Sequence, residues 1–88
     1  MGAERRLQRR ISKELDKSGW LVLKLGVVSI AGFPDLLAMK APGRISFIEV
    51  KAPGQEPRKL QMYWLRRLHA MGFDSRWCDS IDGIEDLV

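Results

Sequence analysis

Cysteine is nearly absent. Cys78 stands alone, which excludes an internal disulfide and a zinc centre built on thiolates. A single thiol of this kind is expected to be buried as a small apolar residue, in a reducing and hence cytoplasmic setting. A secretory leader is not expected, because charge begins at Glu4. Gly2 does not mark a myristoylation site, since Arg6 occupies the position that needs Ser or Thr. The most apolar stretch, Gly19 to Met39, is interrupted by Lys24, Pro34 and Asp35, which a membrane-spanning helix tolerates poorly. It reads instead as two buried strands, and no membrane partner is expected. Repeats and low-complexity segments are absent. Length is also short: 88 residues make a single domain, 1–88, that buries only about 60–65% of its unfolded surface. Self-association would help so thin a core.

What is present is a regular pattern. Leu7, Ile11 and Leu15 recur at helical spacing with Glu4 on the same stripe, predicting a helix over 4–18 that Gly19 ends. Trp20–Leu25 and Phe33–Met39 read as strands, with a turn or loop over 26–32 between them. Ala41-Pro42-Gly43 is a turn. Ile45–Lys51 reads as a central strand, apolar on both faces, and 52–57 as a loop. A second helix is expected over 58–71, ended by Gly72, with Trp64, Leu65, Leu68 and Met71 inward and Gln61 on that same stripe. Phe73–Cys78 reads as a fourth strand and 84–88 as a short terminal helix. The order is helix, three strands, helix, strand: a small α/β domain with a central sheet flanked by helices.

Net charge is +4, from 15 Lys and Arg against 11 Asp and Glu, unevenly placed. Arg5, Arg6, Arg9, Arg10 and Lys13 crowd the first helix, off its apolar stripe. Asp79, Asp82, Glu85 and Asp86 crowd the C-terminus. The basic face suggests a polyanion, most simply nucleic acid; a solvated helix face is the plain alternative.

Residues two apart in a strand share a face, so Glu49 and Lys51 project together from an otherwise apolar strand, where charge is costly to bury without purpose. A hairpin at Pro42-Gly43 would bring Asp35 close to Glu49. Two adjacent carboxylates repel unless a cation lies between them, and hard oxygen donors suit Mg2+ or Mn2+, with the Val50 carbonyl as a further oxygen. Lys51 could orient and help deprotonate a water, or stabilise charge on a phosphate. A surface ion pair is the alternative. Glu4 and Gln61, each a polar residue on an apolar helix stripe, point instead to one shared polar pocket. His69 falls off the inward stripe and is expected at the surface, since carboxylates serve a hard cation better than imidazole. Tyr63 could stack on a base or pack on a neighbour, and packing is the expectation. Trp20, Phe73 and Trp77 could form an apolar interface or belong to the core.

Gly32-Phe33-Pro34-Asp35 followed by Ile48-Glu49-Val50-Lys51 resembles the PD-(D/E)XK nuclease signature. With Glu4 on the first helix and Gln61 on the second, the chain more narrowly resembles a stand-alone VRR-NUC domain of the phage and bacterial kind, from Glu4 to the Asp79-Ser80 region. The resemblance implies a restriction-endonuclease-like fold. It also implies a Mg2+ or Mn2+ site formed by Asp35, Glu49 and the Val50 carbonyl, with Glu4 a ligand directly or through water. Lys51 would be the catalytic lysine, and Gln61 would position Lys51 or the water. Small members of this kind resemble homodimers that cut branched DNA, including four-way (Holliday) junctions. A resolvase that cuts two strands symmetrically needs two sites related by a two-fold axis. The other readings of the residues are a non-catalytic nucleic-acid-binding module that uses the basic first helix, and a regulatory or assembly protein.

Overall fold

The computed structural model describes residues 2–26 and 30–88. It comprises α1 (Ala3–Lys17), β1 (Leu21–Lys24), β2 (Leu36–Lys40), β3 (Arg44–Val50), α2 (Lys59–Ala70), β4 (Asp74–Cys78) and a 3-10 turn at Ile81–Ile84. The strands form one sheet in the order β1-β2-β3-β4. The first two pairings are antiparallel and β3–β4 is parallel, so α2 is the crossover that a parallel neighbour requires. The element order is the one the sequence predicts.

Two boundaries differ, for local reasons. β2 begins at Leu36 rather than Phe33. Pro34 has no N–H to give a ladder, and the Phe33 amide turns back to Ile30 O at 3.4 Å. The terminal helix falls at Ile81–Ile84 rather than 84–88. Side chains hold carbonyls of this segment: Arg76 Nη1 donates to Gly83 O at 3.0 Å within the turn, and Trp20 Nε1 to Leu87 O at 2.8 Å beyond it. The loop expected over 26–32 falls in part on 27–29, outside the described residues.

The two-residue period of the strands sorts the interior into two layers. Leu36, Ala38, Ile48, Val50 and Cys78 face α1 and pack with Ile11, Leu15, Trp20, Ile84 and Leu87. Burying a Leu or Ile contributes about 1.5–3 kcal/mol each. The opposite face meets α2 through Phe47, which lies edge-on to Phe33 and Phe73, while Leu65 and Leu68 of α2 are buried. Trp20 therefore belongs to the core, and Phe73 packs inside the fold. α2 lies over β3 and β4. It leaves the same face of β1 and β2 open, where Leu21 and Leu23 are 58% and 42% exposed beside half-buried Leu37 and Met39. Met71, expected inward, is 56% exposed, because α2 ends at Ala70 and Met71 is its C-cap, past the last residue of the helix.

Gly32 ties α2 to the segment that leads into β2. Its φ is +80°, and a Cβ there would lie 2.7 Å from Leu60 Cγ and 3.2 Å from the Leu60 carbonyl carbon. Both strain and collision oppose a side chain. Gly32→Ala is expected to cost about 1–3 kcal/mol, lowering the thermal midpoint by roughly 5–15 °C in a domain of this size. A melting curve that matches the parent would show that Leu60 is not seated on this turn.

Candidate active site

The strand register assembles the site. Leu36 pairs with Ile48 in the antiparallel β2–β3 ladder, and one step outward sets Asp35 across from Glu49. The backbone of Asp35 is fixed by Leu25, whose N–H donates to its carbonyl at 2.8 Å. Its side chain is fixed from the other side, Oδ2 accepting the Val50 N–H at 2.9 Å. Lys51 continues β3 by donating its N–H to Cys78 O at 2.9 Å, so the Glu49-Val50-Lys51 backbone is held by both neighbours. The hairpin expected from Pro42-Gly43 is the device that closes this geometry.

Gln61, in the first turn of α2, joins the three. Its Oε1 accepts the Arg58 N–H at 2.8 Å, a carboxamide reaching back to its own helix start. Since an N–H can only donate, the amide oxygen must face it, which turns Nε2 toward the pocket. Nε2 donates to Glu49 Oε2 at 3.0 Å, and Lys51 Nζ approaches Gln61 Oε1 at 3.4 Å. One side chain thus contacts both Glu49 at the end of β3 and Lys51 just beyond it.

Glu49 is only 2% exposed. Burial, then the nearby charge of Asp35, push its carboxyl up to about 8; Lys51 opposes them, and Glu4 adds the smallest push. Glu49 Oε1 is buried with no hydrogen-bond partner, and an orphaned buried oxygen calls for a ligand or a proton. The Asp35 and Glu49 carboxyls are close enough to share that proton. Two hard, mutually repelling oxygen donors with a free lone pair suit a divalent cation. Among the described residues, no three His, Cys, Asp or Glu side chains converge as a complete ligand set. Glu4 lies exposed in the first turn of α1 and reaches Glu49 through its charge.

A basic surface adjoins this pocket. Arg5, Arg6, Arg9, Arg10 and Lys13, the cations expected for nucleic acid, line an open groove of about 850 Å³ with Lys24 from the end of β1. Lys24 pairs with Leu36, so the groove comes to the same end of the sheet as Asp35. Composition alone could not add Lys24, which becomes a groove residue only once β1 is paired. The cations of α2, Arg58, Lys59, Arg66 and Arg67, also escape a reading centred on the first helix. His69 is exposed, as expected. Cys78 is buried, and burial pushes its thiol up to about 11, which leaves it inert.

Comparison with known proteins identifies the family of this fold. Residues 3–82 match the VRR-NUC domain. A protein of Acyrthosiphon pisum secondary endosymbiont phage 1, named "Putative nuclease p44", is 33% identical over 76 residues, covering 86% of this chain and 82% of that protein. A solved structure described as a VRR_NUC domain superposes with a TM-score of 0.87 at 28% identity, covering 99% of this chain and 95% of its own. With the family matched along nearly its whole length and the mixed four-stranded sheet shared with a solved relative, the chain belongs to the VRR-NUC domain family.

Proposed function

We propose that this protein is a metal-dependent DNA endonuclease that hydrolyses phosphodiester bonds and acts as a homodimer on branched DNA such as four-way junctions. The observation that carries the reading is the buried, partnerless Glu49 oxygen beside Asp35, with Lys51 and Gln61 arranged around it. Asp35, Glu49 and the Val50 carbonyl would hold Mg2+ or Mn2+, with Glu4 contributing directly or through water. When bound, the ion polarises the phosphate and makes its water more acidic. Lys51 presents its ammonium to the attacking water or to a phosphate oxygen. Gln61 keeps Lys51 and Glu49 in register, and the Arg5–Lys13 groove receives backbone phosphates.

The dimer has its own support. The open face of β1 and β2 presents Leu21 and Leu23 with Leu37 and Met39 beneath them. In so small a domain, that is apolar surface for a second copy to cover. Two copies related by a two-fold axis would present two sites to two strands.

Three outcomes follow. With Mg2+ or Mn2+, labelled four-way junctions are expected to be nicked in symmetric pairs, EDTA to stop cleavage, and Lys51→Ala to slow it at least about 100-fold while DNA binding persists. Binding without cleavage of junction, flap, single-stranded or duplex DNA would favour a non-catalytic module. The second outcome concerns pH. From the ordinary carboxylate range up to about pH 8, folded Glu49 keeps a proton that the unfolded chain has released, so unfolding loses it. Stability in EDTA is therefore expected to fall as pH rises through this window, by on the order of 2–4 kcal/mol, and to level off above it. Mn2+ should restore more stability at pH 8 than at pH 6, and Glu49→Gln should abolish both effects; a flat denaturation profile would refute the assignment. Third, light scattering should return about twice the mass of one chain, and Leu21→Lys should halve it without lowering the melting temperature of the monomer. A single-chain mass for the parent protein at micromolar concentration would rule out the dimer.

A further inference from the structure

α2 carries a second functional stripe on the side away from Leu65 and Leu68. Leu60 and Tyr63 are 48% and 49% exposed, and Arg67 lies one further turn along. Trp64 is the fixed base of this edge. Its Nε1 donates to Ala31 O at 3.1 Å, its ring meets Phe33 and Tyr63 edge-on at 5.6 and 5.2 Å, and the Arg67 guanidinium covers it at 5.2 Å. Arg67 Nη1 also donates to Tyr63 Oη at 3.3 Å. Tyr63 is therefore a braced aromatic ring with about half its surface in solvent. A mobile side chain would lose far more freedom on binding.

Charge identifies the occupant. From Pro57 to Phe73 the sequence holds no acidic residue. Arg58, Lys59, Arg66 and Arg67 have no ion-pair partner among the described residues. Across a two-fold axis such a helix would meet its own cations, so this stripe repels a second copy. The open sheet face at Leu21 and Leu23 carries no such bar. An exposed ring among unneutralised cations is the combination that binds a nucleic-acid strand, the ring taking a base and the cations taking phosphates.

The position is informative as well. Gln61, bonded to Glu49, lies between Leu60 and Tyr63, so the stripe is within one helical turn of the candidate active site. We propose that Tyr63, with Leu60 and Arg67, is a stacking platform for an unpaired nucleobase next to the phosphate being cut, so that the preferred substrate has at least one splayed nucleotide at that point. A base inside an intact duplex offers no free face to the ring. The proposal rests on the nuclease reading for its place beside a cut, but its binding component is measured without cleavage.

The test uses the full chain in EDTA, with fluorescence-labelled forked DNA and a fully paired duplex of equal length. Tyr63→Leu keeps apolar bulk and removes the ring; Tyr63→Phe keeps the ring and removes the hydroxyl. Tyr63→Leu is expected to weaken binding of forked DNA about tenfold and of duplex by less than about twofold, with Tyr63→Phe close to the parent. In the parent, 2-aminopurine at the unpaired position should be quenched, and the quench should be lost in Tyr63→Leu. Equal losses on both DNAs, or no loss on either, would overturn the platform. So would a change of mass by light scattering in Tyr63→Leu, which would assign the stripe to a second copy. If the parent cleaves nothing with Mg2+ or Mn2+ yet shows these binding differences, the nuclease reading fails and the stacking surface stands.

Discussion

Burying the Glu49 carboxylate between β3 and α2 removes its hydration, a cost of several kcal/mol for an ion left alone. The structure offsets part of that cost with a hydrogen bond from Gln61 to Oε2 and with the nearby charge of Lys51. The other oxygen has no partner, and Asp35 adds repulsion. Gln61 can serve only because the Arg58 amide fixes its orientation, which in turn depends on where α2 begins. Asp35 is in place only because β2 and β3 pair in one register. A shift of one residue would send Glu49 into the α1 face and Ile48 into the pocket. The start of α2, the hairpin and the register are therefore all required by one polar contact that is left incomplete.

Stability and chemistry occupy different faces of the sheet. The layer under α1 is largely apolar: Ile11, Leu15, Ile48 and Val50 in it are fully buried, and the buried Ser46 hydroxyl beside them donates to Asp74. The layer under α2 is mixed: aromatic at Phe47, polar at Glu49, and open over β1 and β2. A short chain has residues enough to seal one face and half of the other. The half that is sealed is the half that must hold Gln61 against Glu49. The C-terminal segment reinforces the sealed layer without touching the site, through Trp20 on Leu87 O and Arg76 between Asp74 and Asp86.

Much of this was legible in the sequence because it follows from short-range periodicity. The two-faced apolar run of β3 and the stripe of α1 mark strand and helix, and the Pro42-Gly43 turn brings Asp35 toward Glu49. What escaped depends on contacts between distant residues. That β2 waits until Leu36 reflects Pro34 together with a turn to Ile30. That the terminal helix shifts reflects contacts from Trp20, just before β1, and from Arg76 of β4. Met71 went astray because a stripe extended past a helix end drifts off its face. Lys24 joins the groove through strand pairing, and the cations of α2 fall outside a charge reading centred on the first helix.

The distribution of charge argues that the two basic surfaces serve one ligand. A net charge of +4 is modest, yet acids and bases are segregated. Arg76 neutralises Asp74 and Asp86, holding Asp86 below the usual carboxylate range, and Asp79 accepts the Gly54 N–H. Much of the acidic C-terminal region is thus committed to internal contacts, leaving the cations of α1 and α2 facing water. Both helices begin beside the pocket, Glu4 in the first turn of one and Gln61 in the first turn of the other. A strand lying across Asp35 and Glu49 would have cations on each side of it, although the acids alone would repel it. Positive flanks around a negative centre have little use to a protein that only binds DNA, because removing the acids would tighten binding. The pattern makes sense when the centre has a task that needs carboxylates, which is why the chemistry, more than the basic surface, decides between an enzyme and a binding module.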